Sequence, residues 1–345
     1  MGNPLDILCI GNALVDIFAH ADGGVLESFN ITAPVQHIAM PDLLAMIDFL
    51  PGYRAVSGGG AANVAKISSL LGVSTGFVGT VGSAWGDSPD HFGATFRGDL
   101  ESAGVTPLLN FSGKPTGLCL MLERSDGGAS HIIASPGAAL DLFPEQLSPE
   151  LFQGPKVVVL DGYILGRDAL VQRILELAAQ NSAAIALDVG SAALASRYRE
   201  QIRDWCGRYP VYLFMNLEEA QAFCQVSPDP GEASPWATAS GLNPALEDCF
   251  CSLSGSSAFP YIVVKQGKAG AALFSQGKIY REPVEPLDVE EATGAGDSFC
   301  AAFLAGILHG RSLSDCVRLG NQVAGIALSA YGSALTSEHL QGISI

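Results

Sequence analysis

The sequence predicts an α/β fold, with a mainly parallel central sheet, helices on both faces and a small β-flap. Three observations carry this. Short apolar, β-branched runs recur at Ile7–Ile10, Phe77–Val81, Val157–Leu160, Ala184–Asp188, Val211–Met215 and Tyr261–Lys265, as in strands buried on both faces. Helix-period segments lie between them at Ala61–Leu71, Phe92–Ala103, Asp168–Gln180, Leu217–Cys224 and Ser298–His309, and such alternation implies parallel strands joined by crossovers. Finally, the rhythm breaks at Ile17–Met40 and at Thr116–Ala134, where Leu118–Leu122 and His131–Ala134 flank the turn Asp126-Gly127-Gly128. That pattern predicts a hairpin suited to an antiparallel flap.

The expected organisation is a single domain over residues 1–345 with a discontinuous lid drawn from about 17–40 and 110–135. Ala271–Ser275 and Lys278–Arg281, joined by Gln276-Gly277, predict an edge hairpin. Ser227–Pro244, rich in Pro, Ser and Ala, predicts a surface loop.

With 345 residues, 48% of them hydrophobic, the chain can bury a large core. Its 35 acidic and 18 basic residues give a net charge of -17. Such a balance repels phosphate backbones and anionic lipid heads, so neither nucleic acid nor a membrane is an expected partner. An anionic ligand must instead be held by backbone amides, a metal ion and one or two basic side chains. The eight cysteines include no CxxC pair. Cys9, Cys119 and Cys300 lie in apolar runs, which predicts reduced, buried thiols in a cytoplasmic protein. Cys249 and Cys251 have no His or further Cys at ligand spacing, which argues against a metal–thiolate site. The N-terminus has no basic n-region, Asp6 and Asp16 interrupt its apolar stretch, and no run is long enough to span a membrane.

The sharpest chemical signal is Gly294-Ala295-Gly296-Asp297, followed at once by the apolar helical stretch Phe299, Ala302, Phe303, Gly306 and Ile307. Small residues at a helix N-terminus leave backbone N–H groups open to an anion, with the helix dipole behind them. Asp297 then stands either as an ordinary N-cap or as a base that takes a proton from an attacking hydroxyl. A second glycine run, Ser57-Gly58-Gly59-Gly60-Ala61-Ala62-Asn63, opens an earlier helix. Asn63 reads as a helix-start cap or as a donor and acceptor for a ligand hydroxyl. Asn216 and Glu219, one turn apart after Val211–Met215, fit a capping box and also a site at the carboxyl end of a parallel strand.

Together these segments resemble the two signatures of the PfkB, or ribokinase-like, carbohydrate kinase family. Further matches are Ile10-Gly11-Asn12-Ala13-Leu14-Val15-Asp16, Gly79-Thr80-Val81-Gly82, Asn216-Leu217-Glu218-Glu219 and Lys265-Gln266-Gly267-Lys268-Ala269-Gly270, so the likeness spans about residues 5–335. It implies a ribokinase-like fold and an ATP-dependent transfer of a phosphoryl group to a primary hydroxyl. Asp297 would be the base, with Gly294, Ala295 and Gly296 forming the anion hole. Asn12, Asp16, Gly58, Gly59, Gly60 and Asn63 would bind the acceptor. Asn216, Lys265, Gly267, Gly270 and Asn321 would serve ATP, and Glu219 would hold Mg²⁺ through water. The resemblance also implies a monovalent cation such as K⁺ near Glu291 and Thr293. The longer Glu291, where relatives carry Asp, and Ala292, where they carry Thr, argue against K⁺ activation.

Gly11-Asn12-Ala13-Leu14-Val15-Asp16, Pro115-Thr116-Gly117 and Leu160-Asp161-Gly162-Tyr163 are more similar to the adenosine-kinase-like branch than to ribokinase or fructokinase proper. A nucleoside acceptor, phosphorylated at its 5′-hydroxyl, is therefore favoured over a free sugar such as ribose or fructose. In the family the flap is free or pairs with a second subunit, so a monomer and a homodimer are both expected forms. A dinucleotide-binding oxidoreductase is argued against because Gly11 is followed by Asn12-Ala13-Leu14 rather than G-x-G-x-x-G. A catalytically dead sugar sensor would gain little from Asp297.

Overall fold

The computed structural model describes residues 4–21, 23–125, 129–227, 242–256, 258, 260–284, 294–329, 335–343 and 345. In chain order the strands are β1 Ile7–Ile10, β2 Leu14–Ala21, β3 Val35–His37, β4 Arg54–Gly58, β5 Thr75–Trp85, β6 Ser88–Pro89, β7 Thr106–Ser112 and β8 Gly117–Arg124. They continue as β9 His131–Ser135, β10 Val157–Asp161, β11 Ala184–Asp188, β12 Val211–Asn216, β13 Tyr261–Lys265, β14 Ala271–Ser275 and β15 Lys278–Glu282. The α-helices are α1 Gly23–Ser28, α2 Met40–Asp48, α3 Gly60–Leu70, α4 His91–Ser102, α5 Asp168–Gln180 and α6 Ala192–Arg197. They end with α7 Arg199–Arg208, α8 Leu217–Cys224, α9 Pro244–Ser254, α10 Ala295–Leu308 and α11 Leu313–Ser329.

The large sheet runs β15-β14-β13-β12-β11-β10-β1-β5, with β6 and β7 both paired to β5. Strands β7, β5, β1, β10, β11, β12 and β13 are mutually parallel, and β14 and β15 close one edge antiparallel. Alternate residues feed two apolar layers, as a doubly covered sheet requires. Ile7, Cys9, Val157, Val159, Ala186, Phe214 and Val263 face the layer shared with α3 and α10. Leu8, Ile10, Val158, Leu160, Ile185, Leu187, Leu213 and Met215 face the layer shared with α5 and α9.

The second sheet has the order β3-β9-β8-β2-β4. The expected hairpin is present as antiparallel β8 and β9; its turn, Asp126-Gly127-Gly128, lies outside the described residues. Strand β4, which carries the run into Gly58, also joins this sheet by pairing antiparallel with β2. The edge hairpin is β14–β15.

Several elements exceed the sequence expectation. Helix α11, not anticipated from the sequence, contains Gly320, where a Cβ would stand 2.7 Å from the Phe299 ring. Glycine is kept for close packing of α10 on α11. Strand β7 contains Pro107, and Pro is tolerated because β7 pairs only with β5. Helix α9 starts at Pro244, the end of the expected loop, with Asn243 capping it; residues 228–241 lie outside the described residues. A disulfide not anticipated from the sequence joins Cys224 at the end of α8 to Cys249 on α9. Packing of the two helices creates a proximity that sequence spacing hides. Cys9, Cys206, Cys300 and Cys316 are free and buried, and Cys119 is free but, against the expectation, only partly buried. Among the described residues no helix is long and apolar enough to cross a membrane.

Candidate active site

From β1 the chain passes to β5 on one side of it, and β10 flanks it on the other. That is a topological switch point, where a crevice opens at the carboxyl ends of the strands. Gly11 and Asn12 follow β1 there, and Asp161 ends β10. The glycine turn into α3 and the N-terminus of α10 meet over the same crevice.

The N-cap of α10 is Gly294, with φ 80°, and it makes no side-chain capping bond. A left-handed residue at this point favours glycine. Asp297 is therefore not the cap but a residue of the first turn. Its Oδ2 accepts from Asn63 Nδ2 at 2.9 Å, which joins the two signatures across 234 residues of sequence. Asn63 does not cap either, because the N-cap of α3 is Gly59, with φ 92°. Asn63 Oδ1 is buried with no hydrogen-bond partner among the described residues. A buried orphan acceptor beside a carboxylate fits an arriving hydroxyl.

The glycines hold the approach open. A Cβ on Gly60 would stand 3.3 Å from Asp297 Oδ1, and one on Gly58 would overlap the Asp16 carboxylate at 2.2–2.3 Å. Asp16 comes from β2, whose partner β4 ends in Gly58. Burial pushes Asp16 up to about 7, against the pull of Lys66. Lys66 is itself buried and donates to Ser57 O at 2.7 Å and to Ser57 Oγ at 2.8 Å. Burial, then Asp188 and Asp161, push Asp297 up to about 7; Asn63 and Lys265 oppose this.

Asn216 and Glu219 form the capping box of α8. Glu219 N–H donates to Asn216 Oδ1 at 2.9 Å, Asn216 N–H to Glu219 Oε2 at 2.9 Å and Asn216 Nδ2 to Glu219 Oε1 at 2.8 Å. Burial and then Asp188 push Glu219 up to about 7, so a nearby divalent cation would favour its charged form. Among the described residues no group of three or more His, Cys, Asp or Glu is placed to hold a metal directly. Asn216→Ala is expected to cost about 1–2 kcal/mol of stability, since the cap goes and Glu219 stays buried; urea unfolding measures it.

Gly267 and Gly270 shape the turn between β13 and β14, with Gly270 N–H donating to Gly267 O at 3.0 Å. A Cβ on Gly270 would meet Glu282 O at 2.2 Å, and Asn321 Nδ2 donates to the same carbonyl at 2.8 Å. The glycine turn and Asn321 thus share one anchor. Lys265 lies apart from them: its Nζ bonds Asp188 Oδ2 at 2.7 Å beneath α10. Glu291, Ala292 and Thr293 lie outside the described residues.

Sequence reading missed Asp161, although an acidic residue ending a wholly apolar strand was a usable signal. It accepts N–H bonds from Tyr163, Ala61 and Asn12, and burial pushes it up to about 6 against these bonds. Arg167 was also missed; its guanidinium donates to Asn12 Oδ1 at 3.1 Å, Ala139 O at 3.1 Å and Leu142 O at 2.7 Å.

The chain is similar throughout to known kinases. Adenosine kinase 1 of Arabidopsis thaliana is 26% identical over 341 residues, covering 94% of each chain. A 5-dehydro-2-deoxygluconokinase of Shouchella clausii is also 26% identical, covering 96% of this chain and 92% of the other. Among solved structures, adenosine kinase from Sinorhizobium meliloti superposes with TM-score 0.78 at 26% identity, covering 97% of each chain. A probable sugar kinase from Rhizobium etli gives 0.78 at 25%, covering 98% of each. The model of the pfkB family carbohydrate kinases matches residues 50–340. With its ribokinase-like α/β fold, this chain belongs to the pfkB family and is a phosphotransferase acting on an alcohol group.

Proposed function

We propose that the protein transfers the γ-phosphoryl group of ATP to a primary hydroxyl of a small neutral polyol, with the 5′-hydroxyl of an adenosine-like nucleoside favoured. The observation that carries this is the Asn63–Asp297 pair at the glycine-lined start of α10. Asp297 orients the acceptor hydroxyl and takes its proton while Asn63 Oδ1 and Asp16 hold neighbouring hydroxyls. The new bond forms from that oxygen to the γ-phosphorus, the bond to the bridging oxygen breaks, and ADP leaves with its electrons. The backbone amides of Gly294–Asp297 face the equatorial oxygens of the group in transit. Glu219, beside Asn216, would hold Mg²⁺ through water, and the ion would supply charge neutralisation for the ATP phosphates. The second sheet contributes Asp16 and Gly58, which supports its role as a lid that excludes water.

Local charge argues for a neutral acceptor over a carboxylated one such as a gluconate. Asp16, Asp161 and Asp297 border the crevice. On the acceptor side of the crevice, Lys66 is bound to Ser57 and Arg167 to Asn12, Ala139 and Leu142. Tyr163, 62% exposed and hydrogen-bonded to Gly190 O, offers an aromatic face next to Asp161 for a base. An enzyme of this kind works in the cytoplasm, where ATP is supplied. ATP consumption measured against a panel of nucleosides, free sugars and aldonates tests the proposal. Turnover is expected with a nucleoside, best with adenosine. Turnover confined to aldonates would overturn the neutral-acceptor reading, and no ATP consumption with any acceptor would overturn the kinase reading of this site.

A further inference from the structure

One face of the first turns of α10 rests on a buried cation that neither the glycine turn nor the capping box explains. Lys265 ends β13 and Asp188 ends β11, and the ammonium sits on Asp188 Oδ2 at 2.7 Å. Cys300 donates its thiol hydrogen to the same oxygen at 3.1 Å. Gly296 and Cys300 are one helical turn apart, so both lie on the face of α10 that covers Lys265. A Cβ on Gly296 would stand 3.1 Å from Lys265 Nζ. Glycine at that position therefore leaves the ammonium against the open N-terminus of α10.

Two effects oppose the ammonium at this point, and its acidic neighbours overcome them. A cation near a helix N-terminus opposes the helix dipole, and the pair is largely removed from water, with each side chain 15% exposed. Burial disfavours the charge on Lys265, but Asp188 and then Glu219 outweigh it and hold the ammonium above the ordinary lysine range. Asp188 takes one of the three ammonium hydrogens, and the Cys300 sulfur, at 4.0 Å, engages a second only weakly. Around this point stand Asp297, Asp188, Asp161 and Glu219, a setting that repels an incoming phosphoryl group unless a fixed cation is present.

We propose that the Lys265 ammonium, braced on Asp188 beneath Gly296, contacts the phosphoryl group in transit and is a catalytic residue rather than part of the nucleotide turn. This rests on the kinase reading of the site. Asp188 is the positioning residue that fixes the ammonium. The lysine forms no covalent bond and transfers no proton; it offers hydrogen bonds to equatorial oxygens whose charge grows as the bond to ADP lengthens.

The test uses Lys265→Met and the neutral pair Lys265→Met/Asp188→Asn, each checked by thermal melting. The double variant keeps the fold where the single one leaves Asp188 buried and unpaired. Steady-state rates are measured with ATP and the best acceptor from the panel, and affinity is measured for ADP and for ADP with aluminium fluoride. Both variants are expected to lose kcat by roughly 10²–10³-fold, as when one donor to a developing charge is removed. Both KM values and ADP affinity should stay within about threefold, while the aluminium fluoride complex weakens in step with kcat. Recovery of kcat in the double variant to within about threefold of wild type would reduce Lys265 to a counter-ion of Asp188 and overturn the proposal. Undiminished affinity for ADP with aluminium fluoride would overturn it too. A wild-type chain that consumes no ATP with any acceptor fails at the kinase reading instead, and the two failures are distinct.

Discussion

Asp297→Asn is expected to lower kcat by roughly 10³–10⁴-fold while leaving ATP affinity close to that of the wild type. This is the upper end of what a positioned base contributes. Asn keeps the volume and can still meet Asn63, so the anion hole survives and only proton acceptance is lost. Wild-type kcat/KM should rise with pH through about 7, because Asp297 must be deprotonated to act and its carboxyl sits near that value. The groups that face it are Asn63 and Lys66 from α3, Asp161 from β10, Asp188 from β11 and Lys265 from β13. The variant should lack this limb of the profile. Near-normal turnover in Asp297→Asn would remove Asp297 from the role.

The same substitution should raise stability at high pH. The carboxyl titrates at about 7 in the folded chain against an ordinary 3.8, so the folded state binds this proton more tightly than the unfolded one. Its contribution to stability is fully present below 3.8 and is lost as pH rises through about 7. Asn suffers no such loss. Asp297→Asn should therefore melt above wild type at pH 8, and the gain should shrink towards pH 4. On the proposed mechanism, a buried base costs stability above its folded titration range.

Much of this site was legible because glycine signatures report backbone chemistry, which needs no knowledge of distant neighbours. Gly294 and Gly59 are helix caps with positive φ, and Gly58, Gly60 and Gly296 leave room for named side chains. Sequence also placed every strand of the parallel sheet except β7, since burial on both faces forces continuous apolar runs, and the half-buried, Pro-bearing edge strand β7 lacks one. It could not show that Gly294 rather than Asp297 caps α10, nor that the Asp297 carboxylate meets Asn63, 234 residues away. Asp188 and Lys265 close two apolar strands and look like strand ends until the sheet order, with only β12 between them, sets them side by side. The disulfide between Cys224 and Cys249 was hidden for the same reason.

Gly58→Ala should abolish tight acceptor binding through a residue that makes no bond itself. The added Cβ would fall 2.2 Å from both Asp16 Cγ and Oδ2 and 2.3 Å from Oδ1. Backbone retreat is blocked on the preceding residue: Ser57 N–H is held by Asp99 Oδ2 at 2.6 Å, and Ser57 O and Oγ are held by Lys66. The carboxylate has to swing away instead, losing its hydrogen bonds to the acceptor. Each bond to a charged group is worth about 1.5–3 kcal/mol, so losing two raises the acceptor KM by roughly 10²-fold or more. ATP affinity, which the proposed function assigns to residues other than Asp16 and Gly58, should not change, and Asp16→Asn should show a smaller loss of the same kind. Gly98→Ala in α4 is the control, since nothing lies within 4 Å of its Cβ and a helical position gains from alanine. An acceptor KM in Gly58→Ala within about threefold of wild type would take Asp16 out of the acceptor site, because a carboxylate displaced that far cannot keep its contacts.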